Sequence, residues 1–479
     1  MQINEAKLKW QEGEALQSWV DNNGIGTIEA CTGSGKTYIA VLAIKRLNKS
    51  KQDAVIHVVV PTTKLKEDWV KENGHIQQHG LKNVEVFVIN TYSKSTHTCT
   101  LLIVDEGHRA AADTFLATIT NTVYNFIMCL TATLERLDGK HEIIKLYCPI
   151  VHTLTEEDAV KRGFVVPSII FNLLISLNDK EKKELADIDS KFNTYFKFFN
   201  FDFNLAMKCA ESVNPRWNDN IKQWDYAPAH KFAIANGYVK EELGTIVIRY
   251  NTNKKNQKVN KEKAKKEKRI KMIDLYPNEL EHKYHPKVVN KKGILFMHYM
   301  TLRKEFVYNL PRKVEFVKEI NSKFEGQIIT FSESIKIAEL IKEEIENSSI
   351  YHSKQKVKEK KEAIRRFEEN ESKLLSSVRA LNEGFNVEGA ELCINVSQTK
   401  SKIARIQKSG RVNRKDYTNV NKVGITVNLC IDDFTYKNEK LFSMEKKTIM
   451  ENQKGKHPFW VQSVDEVIEI IRKFKKEDI

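Results

Sequence analysis

Short apolar runs alternate with helical patterns from the N-terminus to about residue 177. Within each run the apolar residues follow one another almost without interruption, which is typical of strands buried on both faces of a sheet. Strands of this kind that alternate with helices predict a parallel sheet covered by helices. The predicted strands span Ile25 to Ala30, Ala54 to Val60, Val84 to Ile89, Leu101 to Val104, Phe126 to Leu130 and Val165 to Ile175.

The same alternation returns after about residue 313 and predicts a second α/β lobe. Its apolar runs span Ile328 to Phe331, Leu374 to Leu381, Leu392 to Val396 and Val423 to Ile431, and helical patterns cover 333–347, 355–370 and 401–409. Apolar residues at positions 464, 467, 468, 471 and 474 recur at helical spacing. They predict an amphipathic helix over Val464 to Lys476 that packs on this second lobe.

Residues 178–312 break the pattern and predict an inserted, mostly helical module. The segment begins with a group of aromatic residues, namely Phe192, Tyr195, Phe196, Phe198, Phe199, Phe201 and Phe203. A basic run follows from Asn251 to Met272 and holds ten Lys/Arg against two Glu. This run is either a solvated charged face or a nucleic-acid contact made by Lys254, Lys255, Lys265 and Lys266. We therefore expect three domains, a first lobe at 1–177, the insert at 178–312 and a second lobe with C-terminal helices at 313–479.

The charge of the chain indicates a polyanionic partner. The 479 residues include 78 Lys+Arg against 63 Asp+Glu, a formal net charge of +15. Such a surface attracts nucleic acid, although a generally basic surface without a specific partner is the competing interpretation. No segment has the roughly 18 consecutive apolar residues of a membrane span, and the N-terminus lacks the apolar stretch of a signal peptide. The seven scattered cysteines form no metal-binding or disulfide pattern, so we expect a cytoplasmic protein, in the host cytoplasm if the chain is phage-encoded.

The strongest chemical signal is the segment from Ala30 to Thr37, ACTGSGKT, between a predicted strand and a predicted helix. Its two glycines allow the backbone to approach a phosphate chain and to point N–H groups toward it at a helix N-terminus. Lys36 supplies a cation for the β- and γ-phosphates, and Thr37 supplies a hydroxyl for Mg²⁺. The pattern predicts a phosphate-binding loop for ATP and Mg²⁺, formed by Thr32, Gly33, Ser34, Gly35, Lys36 and Thr37.

A second signal lies about seventy residues downstream, where the apolar run ending at Val104 leads into Asp105 and Glu106. Asp105 is placed to hold Mg²⁺, and Glu106 is placed to orient and polarise an attacking water. An acidic pair after a strand is often only a helix cap. Downstream of a phosphate-binding loop, the catalytic interpretation is the better one.

A third signal is the segment from Gln407 to Arg414, QKSGRVNR. Arg411 and Arg414 are three residues apart, so on a helix they project to one side and could meet a γ-phosphate held on the first lobe. Surface arginines are the competing interpretation when this pattern is taken alone.

Taken in order, these segments resemble the motifs of superfamily 2 helicases and translocases. The correspondence runs through Thr32 to Thr37, Pro61 to Leu65 with Trp69, Thr91-Tyr92, Asp105 to His108, Thr131 to Thr133, Ile329 to Ser332, Leu381 to Phe385 and Gln407 to Arg414. The resemblance covers both lobes and not the insert. It implies that both lobes are RecA-like and that ATP lies between them. Gly107, Asn386 and Lys408 depart from the residues that most relatives carry.

The resemblance also implies roles for individual residues. Gln11, after Trp10, resembles the glutamine by which relatives read adenine, and Gly384 resembles a second-lobe nucleotide contact. Lys36, Asp105, Glu106, Gln407, Arg411 and Arg414 would carry catalysis, while His108, Thr131 and Thr133 would couple hydrolysis to movement. Nucleic acid would be contacted by Pro61, Thr62, Thr91, Tyr92 and Ser332.

Within the superfamily, the spacing and the segment Thr155 to Pro167 look most like the DNA-directed group of phage UvsW-type, XPB-like and restriction-subunit helicases. We therefore expect a nucleic-acid-stimulated ATPase that unwinds or remodels branched or duplex DNA in replication, recombination or repair. An RNA helicase, a transcription-associated motor and the motor subunit of a nuclease complex are the alternatives. A basic scaffold with a degenerate site is a further alternative, and the complete set of catalytic residues argues against it.

Overall fold

The computed structural model describes residues 5–107, 112–135, 139, 141–211, 216–218, 223–225, 227–237, 283–378, 390–397, 423–432 and 458–477. The chain divides into two compact units, one joining Met1–Ser176 with Tyr308–Ile479 and the other spanning Leu177–Val307. The first unit contains both lobes and the second contains the insert.

Six parallel strands form the sheet of the first lobe in the order β3-β2-β4-β5-β1-β6. They are β1 (Ile25–Ala30), β2 (Ile56–Val60), β3 (Val84–Val88), β4 (His97–Asp105), β5 (Thr122–Thr131) and β6 (Ile150–Leu154). The helices are α1 (Glu5–Trp10), continued by a π-helical segment (Gln11–Leu16), α2 (Gln17–Asp21), α3 (Lys36–Ser50), α4 (Thr63–Val70), α5 (His75–His79), α6 (Ile89–Tyr92), α7 (Ala112–Thr120), α8 (His141–Tyr147) and α9 (Glu156–Lys161).

Both faces of this sheet are buried, as the continuous apolar runs predicted. Along β2, Val58 and Val60 belong to one hydrophobic core, and Val59 belongs to a second core. Successive side chains of a strand point to opposite faces, so a strand between two cores needs an apolar residue at every position. All seven cysteines of the chain are buried, and the structure contains no disulfide bond between them.

The chain then forms β7 (Ser168–Ser176) and enters the insert. The insert contains α10 (Asp179–Phe198), α11 (Phe203–Glu211), a short antiparallel pair of β8 (Arg216–Asn218) and β9 (Gln223–Asp225), α12 (Pro228–Ala235) and α13 (Pro286–Tyr308). Helix α10 begins with a capping box, because Asn178 accepts from the Glu181 N–H at 2.8 Å and the Glu181 carboxylate accepts from the Asn178 N–H at 2.8 Å. Phe192, Phe199, Phe232 and Phe296 form its separate core, in agreement with the predicted aromatic-rich helical module.

The second lobe is built on a seven-stranded parallel sheet with the order β11-β12-β10-β13-β14-β7-β15. Its own strands are β10 (Ile328–Ser332), β11 (Ser348–Tyr351), β12 (Leu374–Val378), β13 (Leu392–Asn395), β14 (Gly424–Asp432) and β15 (Phe459–Val461). The helices are α14 (Arg312–Lys323), α15 (Ile335–Glu344), α16 (Val357–Glu368) and α17 (Val464–Glu477). Helix α17 buries Val464, Val467, Ile468 and Ile471 in the core of this lobe, as its amphipathic pattern predicted.

Strand β7 lies in the second sheet, although the apolar run from Val165 to Ile175 was assigned to the first lobe. It pairs with β14 in parallel from Ser168 to Ser176, and on its other side it pairs with β15. Strand β7 therefore belongs to the sheet of the second lobe, and the predicted first lobe at 1–177 includes one strand too many. A run buried on both faces has the same apolar character in either sheet, so the sequence pattern could not choose between them. The helical pattern at 401–409 lies outside the described residues.

Candidate active site

The segment that follows β1 has the backbone geometry of a phosphate-binding loop. Gly33 and Gly35 have φ values of +84° and +86°, in the left-handed region that favours glycine. Helix α3 begins at Lys36, immediately after the loop, so its N-terminal N–H groups face the same space. The Ser34 hydroxyl is buried and donates to the Cys31 carbonyl at 2.7 Å, which closes the loop on itself.

The ammonium group of Lys36 is held beneath this loop. The side chain is only 7% exposed, and its Nζ donates to the carbonyl oxygens of Ala30 at 2.8 Å and Cys31 at 3.3 Å. A buried ammonium needs acceptors, and these carbonyls provide them. The two hydrogen bonds keep Lys36 at the position where a phosphate chain would bind.

The phosphate loop and the acid pair come together at the carboxyl end of the sheet. The Thr37 hydroxyl donates to Asp105 Oδ2 at 3.4 Å, although the two residues are 68 positions apart. Asp105 ends β4 and is 4% exposed, and its Oδ1 accepts from the Glu106 N–H at 3.0 Å. Burial raises the pKa of Asp105, the neighbouring Glu106 carboxylate raises it further, and Lys36 acts in the opposite direction.

These two side chains suit a hard cation. Carboxylate and hydroxyl oxygens are the donors that Mg²⁺ prefers, and protein Mg²⁺ sites use one or two carboxylates together with substrate phosphates. Among the residues that the structure describes, no group of three or more His, Cys, Asp or Glu could hold a metal ion alone. Thr37 and Asp105 would therefore hold Mg²⁺ jointly with a bound nucleotide, as predicted for these residues.

Glu106 and Gly107 occupy a constrained turn after β4. Glu106 has φ of +51°, which is unusual for a residue with a side chain and is found at functional sites. A Cβ atom on Gly107 would lie 2.6 Å from Cys129 Sγ and 2.8 Å from Phe115 Cε2, and both neighbours are fully buried. The glycine at position 107, which departs from the residue that most relatives carry, thus has a steric cause, because the core leaves no room for a side chain beside Asp105 and Glu106.

The N-terminal helical segment supports the phosphate loop from outside. Gln11 is buried, and its Nε2 donates to the carbonyl oxygens of Gly35 at 2.9 Å and Ser34 at 3.5 Å. Lys7 Nζ donates to the Gly33 carbonyl at 2.9 Å. Lys7 was not singled out in the sequence, although its spacing of four residues from Gln11 on a helix would have indicated the same face.

Trp10, next to Gln11, belongs to the core. It is 1% exposed, its Nε1 donates to His152 Nε2 at 2.9 Å, and its ring packs on Phe164 with the centroids 5.6 Å apart. Its indole is therefore not available to a ligand. Burial and the neighbouring side chains position Trp10 so that Gln11 faces the loop.

Thr131 and Thr133 form a tight turn at the end of β5. The Thr131 hydroxyl donates to the Thr133 carbonyl at 2.8 Å and accepts from the Thr133 N–H at 3.2 Å. Both side chains are buried. Strand β5 lies between β1 and β4, so the turn is placed between the phosphate loop and the acid pair. This position suits the predicted coupling role.

Three of the predicted nucleic-acid residues lie at the same edge of the first sheet. Pro61 and Thr62 follow β2, and Thr91 lies in α6 directly after β3. The carboxyl ends of parallel strands share one edge, where ligands of such sheets bind. Thr91 is exposed, and Thr62 caps α4 by accepting from the Leu65 N–H at 3.3 Å.

Tyr92 and Ser332 require a correction, because both side chains are buried. Tyr92 is 1% exposed, its hydroxyl lies 2.9 Å from His57 Nδ1, and its ring stacks on His97 with the centroids 3.8 Å apart. Ser332 is 1% exposed and donates to the Ser334 carbonyl at 3.1 Å. Both residues were expected to contact nucleic acid because they lie within segments that resemble helicase motifs, whereas packing buries both side chains in the core.

The remaining predicted residues lie outside the part of the chain that the structure describes. They are Gln407, Arg411 and Arg414 of the predicted catalytic set, Gly384, His108, and the insert lysines Lys254, Lys255, Lys265 and Lys266.

Two family models match the chain. "Type III restriction enzyme, res subunit" matches residues 5–100, which include the phosphate loop, and "Helicase conserved C-terminal domain" matches 312–416, which include Gln407 to Arg414. The two models match the two lobes in the order that the motifs predicted. The chain belongs to the superfamily 2 helicases. The two parallel-sheet lobes are the RecA-like lobes of this family.

Relatives of this helicase agree with the assignment. It is 21% identical over 444 residues to "Putative helicase 22" of Sulfolobus islandicus filamentous virus, covering 86% of the chain and 63% of that protein. It is 26% identical over 204 residues to the DNA 3'-5' translocase XPB2 of Sulfurisphaera tokodaii, covering 40% of the chain and 45% of that protein. The chain thus spans less than two thirds of the length of either relative.

A solved structure shows the same fold. The S. cerevisiae Dbp5 structure bound to RNA and ADP BeF3 matches with a TM-score of 0.50 and 14% identity, covering 98% of this chain and 93% of that one. At this identity the match concerns the fold alone. Among the described residues of this helicase, no helix has both the length and the apolar character that a membrane crossing requires.

Proposed function

We propose that the protein is an ATP-driven motor that moves along DNA and unwinds or remodels branched or duplex DNA. The observation that carries this proposal is the contact between Thr37 and Asp105, at 3.4 Å, with Lys36 buried beside it. This contact places a hydroxyl, a carboxylate and an ammonium group around one point. Phosphoryl transfer depends on that combination.

Each residue of the site has a distinct part in ATP hydrolysis. Lys36 would leave the Ala30 and Cys31 carbonyls to neutralise the β- and γ-phosphates. When bound, Mg²⁺ supplies electrostatic stabilisation of the charge on the transferring phosphoryl group. Glu106 would orient the attacking water, and Gln407, Arg411 and Arg414 would approach the γ-phosphate from the second lobe.

The coupling of hydrolysis to movement would pass through the turn after β5. Thr131 and Thr133 hold this turn by two mutual hydrogen bonds between the strands that carry the phosphate loop and the acid pair. His108 would connect this turn to the acid pair. Nucleic acid would be contacted on the first lobe by Pro61, Thr62 and Thr91. The lysines of the 251–272 run would add contacts to its phosphates.

DNA is the proposed substrate in preference to RNA. Support comes from the DNA 3'-5' translocase XPB2 and from the restriction-enzyme model that matches residues 5–100. The RNA-bound Dbp5 structure is similar in fold only and does not bear on substrate choice. A role in replication, recombination or repair follows from a preference for branched DNA.

A second candidate is a motor subunit of a nuclease complex. The observation that favours it is the match of the first lobe to the res subunit of type III restriction enzymes. Affinity purification of the tagged full chain distinguishes the two. A stoichiometric nuclease partner would favour the second candidate, and recovery of the chain without one would favour the independent motor.

ATPase rates test the proposal directly. The full chain would be assayed without nucleic acid and with single-stranded, duplex, forked and four-way DNA and RNA of equal length, and Lys36→Ala would serve as the inactive control. We expect forked or four-way DNA to stimulate hydrolysis most. Greater stimulation by RNA than by any DNA would overturn the substrate assignment. The absence of stimulation by any nucleic acid would overturn the proposal that the protein is a nucleic-acid motor.

A further inference from the structure

The helical segment that carries Gln11 changes its winding directly beside that residue. Helix α1 ends at Trp10, and the π-helical segment begins at Gln11. A π-helical turn is wider than an α-helical turn, and such turns occur frequently at functional sites. Gln11 donates to the Gly35 carbonyl at 2.9 Å, so the winding at this point decides whether its amide meets the phosphate loop. The contacts that fix Trp10 therefore help to fix Gln11.

His152 of β6 supplies the polar contact of the Trp10 side chain. The Trp10 Nε1–H donates to His152 Nε2 at 2.9 Å, and the centroids of the two rings are 5.9 Å apart. The Trp10 side chain is buried, so its N–H depends on this acceptor. A buried donor that loses its only acceptor is destabilising. The hydrogen bond thus ties the end of α1 to the edge strand of the first sheet.

This contact determines the protonation state of His152. An indole N–H can only donate, so Nε2 must accept with its lone pair, and the neutral ring carries its proton on Nδ1. Nδ1 lies 3.4 Å from Ser18 Oγ, and the Ser18 hydroxyl donates to the Glu14 carbonyl at 2.8 Å. The Ser18 oxygen therefore keeps a lone pair for the Nδ1–H. A second proton on His152 would place an N–H group against the N–H group of Trp10.

The surroundings of His152 also favour the neutral ring. Burial lowers the pKa of His152, the Glu14 carboxylate raises it, and the Arg162 guanidinium lowers it. Glu14 and Arg162 form an ion pair at 2.8 Å, so their effects on the ring oppose each other. Because burial lowers the pKa from an ordinary value near 6.5, the imidazole is neutral at pH 7.5.

We propose that His152, as a neutral imidazole with its proton on Nδ1, is a positioning residue for the nucleotide site. It fixes Trp10 where the winding changes, and the position of Trp10 directs Gln11 to the Gly35 carbonyl of the phosphate loop. His152 acts through Trp10 and not on the nucleotide itself. The inference rests on the proposed binding of ATP at this loop and adds a residue that no motif of the sequence indicated.

Two substitutions of His152 separate the hydrogen bond from packing. His152→Gln places an amide oxygen near the position of Nε2 and can accept from Trp10, whereas His152→Leu fills similar space and accepts nothing. The Kd of the full chain for a fluorescent ATP analogue would be measured at pH 7.5, after circular dichroism has verified that each variant is folded. We expect H152L to raise this Kd at least about threefold and H152Q to remain within twofold of the parent.

The turnover number distinguishes positioning from catalysis. At saturating ATP and nucleic acid, we expect kcat of both variants to stay within about twofold of the parent, because the acid pair is unchanged. His298→Gln, at an exposed histidine of α13, is the matched control and should alter neither Kd nor kcat.

The protonation state of His152 can be measured without ATP. The chain would be labelled with ¹⁵N-histidine, and the His152 signals would be assigned by their absence from the NMR spectrum of H152Q. We expect the proton on Nδ1 and a pKa below 6.5 in the parent. Trp10→Phe keeps an aromatic ring and removes the N–H, so it should raise the pKa of His152 toward its ordinary value. This measurement stands even if H152L fails to fold.

Equal Kd values for H152L and H152Q, or a proton on Nε2 of the neutral ring in the parent, would overturn the positioning role. Failure of the parent itself to bind the ATP analogue would instead contradict the proposed nucleotide site. The two failures are therefore distinguishable in the same set of titrations.

Discussion

Asn428 in β14 donates a side-chain hydrogen bond to Asn172 in β7 at 3.0 Å, and the two residues are 256 positions apart. Asn428 in turn accepts from Asn395 of β13 at 2.9 Å. The three residues lie opposite one another in the register of the sheet, and all three side chains are buried. A slip of one residue would turn Asn172 to the other face, so this ladder specifies how β7 joins the second lobe.

The ladder makes a prediction about stability. Asn428→Leu removes the acceptor of Asn395 and a donor to Asn172, and each buried group that loses its partner costs about 1–3 kcal/mol. We expect a clear decrease in the free energy of unfolding, measured by urea denaturation with circular dichroism. Thr426→Val is the control, because the buried Thr426 hydroxyl has no hydrogen-bond partner among the described residues. A similar loss for both variants would show that the ladder contributes nothing specific.

Glu106→Gln should separate ATP binding from ATP hydrolysis. The amide keeps the shape of the side chain and loses the charge that polarises water, and removal of such a group typically costs about 10²–10⁴-fold in rate. We expect a near-parental Kd for a fluorescent ATP analogue and a turnover number reduced by at least about 100-fold. A parental turnover number would remove Glu106 from the catalytic set.

Gly107→Ala should disturb the site through packing. Its Cβ would contact Cys129 Sγ at 2.6 Å, and overpacking in a core costs about 1–3 kcal/mol. We expect reduced thermal stability and reduced ATPase activity, with partial recovery when Cys129→Ala removes the sulfur. Gly13→Ala is the control, since a Cβ on Gly13 meets nothing within 4 Å. Full activity of Gly107→Ala without the second substitution would contradict the steric explanation.

Lys7→Met should weaken nucleotide binding more than the chemical step. Lys7 supports the loop through the Gly33 carbonyl and lies outside the acid pair, so its loss affects the geometry of the phosphate site. We expect the KM for ATP to rise about threefold to tenfold, as for the loss of a partly exposed charged hydrogen bond, and kcat to change by less than about twofold. Lys7→Arg should restore the KM. Lys9→Met, at an exposed lysine of the same helix, should behave as the parent.

The candidate catalytic residues of the first lobe could be located in the sequence because their signals are local. A strand, two glycines, Lys36 and Thr37 follow one another within a few residues, and the acid pair follows its own strand directly. Lys7 and Gly107 were different cases. The spacing of Lys7 from Gln11 indicates a shared helix face, but it does not identify Gly33 as the partner of Lys7. The lack of room at Gly107 depends on Cys129, which is also distant along the chain, so the sequence near Gly107 does not indicate it.

Motif position also says little about the burial of a side chain. Thr91 and Tyr92 are adjacent in the sequence, yet Thr91 is exposed and Tyr92 is packed against His57 and His97. The short helix α6 directs consecutive side chains to different sides. Only the packing of that helix on its neighbours selects which of the two meets solvent.

The order of apolar runs along the chain is sufficient to predict two parallel-sheet lobes and an aromatic helical insert, because strand burial and helix periodicity depend on residues that are close together in the sequence. The assignment of β7 to the second sheet required the three-dimensional structure. A doubly buried strand is apolar in any sheet, and its partner is chosen by contacts such as the one between Asn172 and Asn428. The exposure of Phe201 and Phe203 likewise emerged only from the fold, since an aromatic cluster in a sequence does not show which of its rings the core leaves outside.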